Sequence, residues 1–169
     1  MLRTSLDQAY IKRTIRPLYG WSQTTPTHTY LDPDWDRSVD IYPGMVMMKG
    51  EGDTVTLIDD TGHPYGLAGL FVGGYDIDEV KDQGVNAFAT WVLAPDAQFE
   101  ILAPAFDTDE TWTEPTDGTI TLVHAQTVGD AQGKLVPAGV ANASDRPVAR
   151  LISVVSDQKI VVGGLVGTQ

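Results

Sequence analysis

Apolar and polar positions alternate along this chain in short bursts, and turn residues cut the bursts before any helical spacing is established. The segment 41–72, IYPGMVMMKGEGDTVTLIDDTGHPYGLAGLFV, sets the pattern. Pro43-Gly44 is a turn pair, and the apolar run 45–48 after it is long enough for a strand. Residues 49–53 form a glycine-bearing turn cluster. Residues 54–58 are rich in β-branched side chains, with Val55 and Leu57 at alternate positions. Asp59 to Gly62 turns the chain again, and 67–72 is a third apolar run. The prediction is strand, turn, strand, turn, strand.

The same grammar continues towards the C-terminus. Residues 87–94 are apolar on both faces and predict a buried strand. Pro95-Asp96 turns the chain into a strand over 99–103. Residues 119–125 place Ile120, Leu122 and His124 on one side. A turn at 129–133 precedes a short strand over 134–137, and another turn covers 142–146. Residues 147–155 and 159–166, separated by Ser156-Asp157-Gln158, read as a closing β-hairpin. Gly163-Gly164 within the last strand predicts a bulge or a close backbone approach. The total is roughly eight or nine strands at short spacing, an all-β, mainly antiparallel fold of the small barrel or sandwich kind.

The first 42 residues read differently. Leu6 and Tyr10 share a helical face, so a short helix after Thr4 or Ser5 fits the pattern, and Pro17 would end it. Residues 21–42 hold Trp21, Tyr30, Trp35 and Tyr42 among prolines, threonines and aspartates, without a period. They read as an extended segment whose aromatics anchor it to another surface or to its own domain. The expected organisation is an extended N-terminal arm over 1–42 and a β-rich body over 43–169. Deleting residues 1–40 is then expected to leave a folded body.

Charge sharpens that division. The chain of 169 residues carries a formal net charge of -12. In the first 16 residues Arg3, Lys12, Arg13 and Arg16 oppose only Asp7, whereas the remainder holds 7 basic and 22 acidic residues. So acidic a body repels free nucleic acid, whose binding depends on neutralised phosphates. A basic arm on it points to an acidic docking surface, its own or a neighbour's, or to a solvated tail. No run approaches a membrane span, and the charged N-terminus does not read as a secretory signal.

Candidate chemistry adds little. Cysteine is absent, which removes disulfides and thiolate nucleophiles. His28, His63 and His124 are scattered and match no zinc spacing. No serine lies in a G-x-S-x-G elbow. Asp59/Asp60 and Asp107/Asp109 fall in turns, where aspartate serves the backbone. Asp76, Asp78 and Glu79 lie in an acidic loop over 73–84 that lacks the calcium-loop spacing. A second acidic loop, 104–117, carries Phe106 and Trp112, which either act as exposed contact anchors or fold back onto the core. No catalytic, cofactor or metal site is expected.

Two stretches carry a resemblance. PGMVMMKGEGDTVTLIDDTGHPYGLAGLFV resembles the core of tailed-bacteriophage head decoration proteins, also called capsid cement proteins, where a "PGM-V" entry strand precedes a strand, a turn and a "G-L-A" segment. RPVARLISVVSDQKIVVGGLV is similar to the closing hairpin of such phage β-proteins. The matched stretches are 43–72 and 146–166; the long arm and the acidic loop 104–117 depart from the pattern. The resemblance implies a non-enzymatic protein on the outer capsid surface of the virion, stabilising the head against internal genome pressure. Its implied partners are the major capsid protein and copies of itself, as a homotrimer, with no direct nucleic-acid or membrane contact. The residues expected to make the capsid or inter-subunit contacts are Arg3, Lys12, Arg13 and Arg16 as electrostatic guides and Trp21, Tyr30, Trp35 and Tyr42 as anchors. Two alternatives stand beside it: another virion component (tail tube, head fibre or spike), or a carbohydrate-binding β-sandwich module with Trp91 or Trp112 as stacking platform.

Overall fold

The computed structural model describes residues 13–19, 26–32, 39–73 and 87–165. Their elements are all strands apart from one 3-10 turn at Gly129–Ala131. In chain order the strands are β1 (Ile15–Tyr19), β2 (Pro26–Leu31), β3 (Val46–Lys49), β4 (Thr54–Leu57), β5 (Pro64–Ala68), β6 (Ala87–Trp91), β7 (Gln98–Leu102), β8 (Thr121–Ala125), β9 (Leu135–Pro137), β10 (Ala149–Ser156) and β11 (Lys159–Gly163). The all-β, mainly antiparallel expectation holds, and both sheet forms are present. A closed barrel runs β2-β4-β3-β5-β6, and a six-stranded sheet runs β1-β7-β11-β10-β8-β9.

Turn chemistry at the start of β3 works as the sequence implies. Gly44 takes φ 98°, and the Met45 N–H donates to the Tyr42 carbonyl at 3.0 Å. This is a turn with Pro43 at its second position and a positive-φ glycine at its third, the type II arrangement. It delivers Met45, Val46 and Met47 into the core, all essentially inaccessible to water. β3 then pairs with β4 on one side and β5 on the other. The third run registers earlier than expected: β5 begins at Pro64, while Val72 forms a separate bridge with Ile41.

Barrel and sheet share one hydrophobic core. Trp91 of β6 meets Phe99 of β7 with ring centroids 5.7 Å apart. On the other side Gly133 packs under the barrel: a Cβ there would lie 2.3 Å from Leu57 Cδ1, and φ is 82°. Its carbonyl accepts from the Val46 N–H at 2.7 Å. The predicted close approach at the last strand is also present, since a Cβ on Gly164 would fall 1.9 Å from the Ala94 carbonyl oxygen.

Within residues 1–42 the described parts include two strands, one built into each sheet. β1 pairs antiparallel with β7. β2 pairs antiparallel with β6 and parallel with β4, and so closes the barrel. Deleting residues 1–40 would therefore take β1 and β2 out of their sheets. The aperiodic segment 21–42 contains one of these strands. β2 forms because Thr29 and Leu31 point inward while Tyr30 points out, a two-residue alternation too short to stand out between Pro26 and Pro33. Inside, the Thr29 hydroxyl donates to the Phe88 carbonyl at 2.5 Å and lies 3.3 Å from the Thr90 hydroxyl, so two buried polar side chains are satisfied where β2 meets β6. The helix expected in the first residues and the acidic loop bearing Asp76, Asp78 and Glu79 lie outside the described residues.

Candidate interaction surface

β1 is an outer strand of the six-stranded sheet, and its far edge has no partner among the described residues. The Leu102 N–H donates to the Thr14 carbonyl at 2.8 Å, and Arg16 stands opposite Glu100. Hydrogen-bonded pairs alternate in an antiparallel ladder. Ile15 and Pro17 therefore turn their backbone polar groups away from β7, toward the open edge. Pro17 offers only a carbonyl there, which blunts the edge against indiscriminate strand addition. The opposite side of the sheet is not open in this way. Ala105 and Asp107 bind the outer edge of β9, through Leu135 N–H to Ala105 carbonyl at 3.0 Å and Asp107 N–H to Leu135 carbonyl at 2.9 Å.

An ion cluster fixes β1 in place. Glu100, with a side chain only 11% exposed, accepts from Arg16 at 3.2 Å and lies 3.5 Å from Lys159 Nζ. The two cations come from the strands flanking β7, so the carboxylate ties β1, β7 and β11 together. Arg16 itself is 61% exposed, which limits the strength of the pair. Glu100→Ala is expected to cost about 1 kcal/mol, because both cations regain water when the carboxylate is lost. A melting temperature lowered by roughly 2–4 °C would show it; an unchanged one would mean that β1 is held by backbone pairing alone.

Of the sequence-expected contact residues, Arg13, Arg16, Tyr30 and Tyr42 are described. Arg13 is exposed, and Arg16 carries the bond to Glu100. Tyr30 is 46% exposed on the outer face of β2. Tyr42 is half-buried, with its ring edge-on to Phe71 at 5.1 Å. Arg3, Lys12, Trp21 and Trp35 lie outside the described residues. Sequence reasoning missed Tyr19, which ends β1 and is 67% exposed. A tyrosine inside the expected arm gave no periodic signal. Ile120 at the entry to β8 and Val155 near the β10 tip are also exposed; the first read as one face of a strand, the second as the middle of a hairpin.

The loop 104–117 resolves the two options left by its aromatics in favour of the core. Phe106 is buried, and Trp112 stands edge-to-face against it at 5.5 Å. The Trp112 indole N–H donates to the Asp107 carbonyl at 2.7 Å, so the ring is fixed rather than free. Trp91, the other stacking candidate, is half-buried against Phe99. The carboxylates serve the backbone as expected: Asp59 accepts from the Thr61 N–H at 2.8 Å, and Asp107 from the Asp109 N–H at 3.0 Å. Among the described residues no three His, Asp or Glu side chains converge on a metal position.

One pair clasps the two sheets from outside. His63, in the β4–β5 turn of the barrel, places Nδ1 2.9 Å from Asp145 Oδ1 in the turn before β10. An ionised carboxylate only accepts, so Nδ1 carries the hydrogen. That hydrogen bond, more than any other influence, holds the Asp145 carboxyl below its ordinary value of 3.8. A carboxyl depressed in the folded state stabilises above its unfolded value and loses that contribution as pH falls through the folded one. His63→Ala is therefore expected to lower the melting temperature slightly at pH 6, with the two curves converging below about pH 4. A constant gap between the curves down to pH 2 would count against the clasp.

The three comparisons with known proteins gave one match. A family model described as "Phage cement protein" matches residues 1–165. No curated protein and no solved structure matches.

Proposed function

The chain belongs to the phage cement protein family, and from that premise we propose that it binds the major capsid protein on the outside of the phage head and reinforces the shell against genome pressure. Its place is the capsid surface of the virion, and its association is with the capsid. The observation that carries the reading is the extent of the match, which takes in the N-terminal region as well as both sheets.

The fold supplies a physical means. A shell protein gains affinity without a deep pocket when an extended segment or an open edge pairs with a neighbour's backbone. The outer edge of β1 has no partner among the described residues, with exposed Tyr19 at its end and exposed Arg13 just before it. We assign the contact to the N-terminal region 1–42, where Arg3, Lys12 and Arg13 steer and Trp21, Tyr30 and Trp35 anchor. Arg16 and Tyr42 hold the root of that region to the body, through Glu100 and Phe71. A homotrimer would multiply weak contacts by avidity.

Co-sedimentation with shells lacking the protein tests this. Saturable binding at a fixed ratio to the major capsid protein is expected, with a gain in the shells' resistance to heat. A protein lacking residues 1–12 keeps every described strand pairing and is expected to bind more weakly. Undiminished binding by that variant would remove the basic residues 3 and 12 from the contact. No binding by the full chain, to compact or to expanded shells, would overturn the proposal.

A further inference from the structure

A cleft of about 390 Å³ opens between the loop 111–119 and strands β8 to β10, within the size range of small-molecule sites. Its apolar wall is Trp112, Pro115, Leu122, Pro137 and Leu151. Trp112 is set in that wall in advance. Its indole N–H donates to the Asp107 carbonyl at 2.7 Å, and its ring stands against buried Phe106. A side chain already fixed loses little rotamer freedom when a ligand binds.

The polar groups around the cleft are mostly hydroxyls. Thr111, Thr113 and Thr121 line it, and their hydroxyls have no hydrogen-bond partner among the described residues. Each can donate and accept. Glu114 also lines the cleft; its Oε2 accepts from the Val154 N–H, which leaves Oε1 as an acceptor. No Lys, Arg or His is among the lining residues, and Glu114 is the one carboxylate. This set of groups sorts ligand classes. A phosphate or carboxylate finds no cation to pair with. A hard cation finds a single carboxylate, one oxygen of which is engaged. A wholly apolar ligand would strip water from three hydroxyls and return no hydrogen bond. A neutral ring with hydroxyls on its rim and C–H groups on its face answers both the hydroxyls and the apolar wall.

We propose that the cleft is a saccharide site for one neutral hexopyranose ring, with the C–H face of the sugar against Trp112 and Leu122 and its hydroxyls on Thr111, Thr113, Thr121 and Glu114. This is a binding function separate from the capsid contact. It does not rest on the capsid-binding reading above, because it is measured on the free protein without shells.

The experiment is an NMR titration of the 15N-labelled full chain with the methyl pyranosides of glucose, galactose, mannose and N-acetylglucosamine. The indole N–H signal of Trp112, assigned with Trp112→Phe, reports from the cleft, and those of Trp21, Trp35 and Trp91 are internal controls. The expected result is a saturable shift of the Trp112 signal with at least one of the four sugars, at a Kd on the order of 1 mM for a ligand of this size. Thr113→Val and Thr121→Val keep the shape of the wall and remove one hydroxyl each. Each should weaken binding about 2- to 10-fold, the range of a single hydrogen bond. Sorbitol, with the hydroxyls of a hexose but no ring, should not bind. No saturable shift with any of the four sugars at roughly 100 times that concentration would overturn the site. So would a saturable shift at Trp91 with Trp112 unmoved. Equal binding by both threonine variants would overturn the assignment of the hydroxyls, and equal binding of sorbitol would overturn recognition of the ring.

Discussion

Removing residues 1–31 is expected to abolish the cooperative melting transition, whereas removing residues 1–12 leaves it in place. The difference lies in what each cut takes from the sheets. The longer one deletes β1 and β2. β2 is the stave between β4 and β6, and its loss exposes two strand edges together with the inner faces of Thr90 and Phe88, which now cover Thr29. Buried Leu31 and Ile15 go with it. Burying one such side chain is worth about 1.5–3 kcal/mol. Two of them, the lost ladder bonds and the buried hydroxyl of Thr90 left with a partner missing approach the whole stability of a domain, about 5–15 kcal/mol. Open edges β4 and β6 also invite aggregation. Circular dichroism and thermal melting check both variants. A sigmoidal melt in the longer deletion would show that the barrel closes without β2.

Phe99→Ala is the point substitution expected to cost most, about 3–5 kcal/mol. Phe99 is fully buried. It lies opposite Pro17 on β1 and Val162 on β11 and meets Trp91 of the barrel. The cavity would thus open at the seam between barrel and sheet, where relaxation of one side is opposed by the pairing of the other. The melting temperature should fall by roughly 6–20 °C. A loss below about 1 kcal/mol, measured by denaturant titration, would mean that the seam collapses freely and that barrel and sheet are less rigidly joined than their shared core implies.

Legibility differs sharply between the two halves of this protein. From residue 43 onward each run of alternating or β-branched residues became a strand, and several of these strands are local, since a turn such as Ser156-Asp157-Gln158 joins neighbours that then pair; β7, whose partners β1 and β11 are both distant, was legible from its own apolar run alone. The glycine pair 163–164 announced a close approach, although only the structure names the Ala94 carbonyl as what approaches. β1 and β2 were not legible. Their partners, β7 for the first and β4 and β6 for the second, lie dozens of residues away, and strands of five and six residues containing proline carry little period of their own. For the same reason the contact residues assigned to an arm divide in two. Arg16 and Tyr42 face intramolecular partners that no local pattern reveals, while Tyr30 is exposed as expected.

By itself the sequence determined the strand-rich class, the turns, the acidic body with its basic start, and the resemblance to phage cement proteins that the family match extends to nearly the whole chain. These are properties of short windows and of composition, and they survive any rearrangement of the pieces. Only the tertiary structure decided that the strands divide into a closed barrel and an open sheet, and that β1 belongs to the sheet and β2 to the barrel. It also decided that Phe106 and Trp112 turn inward, and that the outer edge of β1 has no partner among the described residues. Those outcomes depend on which distant edges and faces satisfy one another's hydrogen bonds and apolar surface, and that pairing is a property of the whole chain in three dimensions.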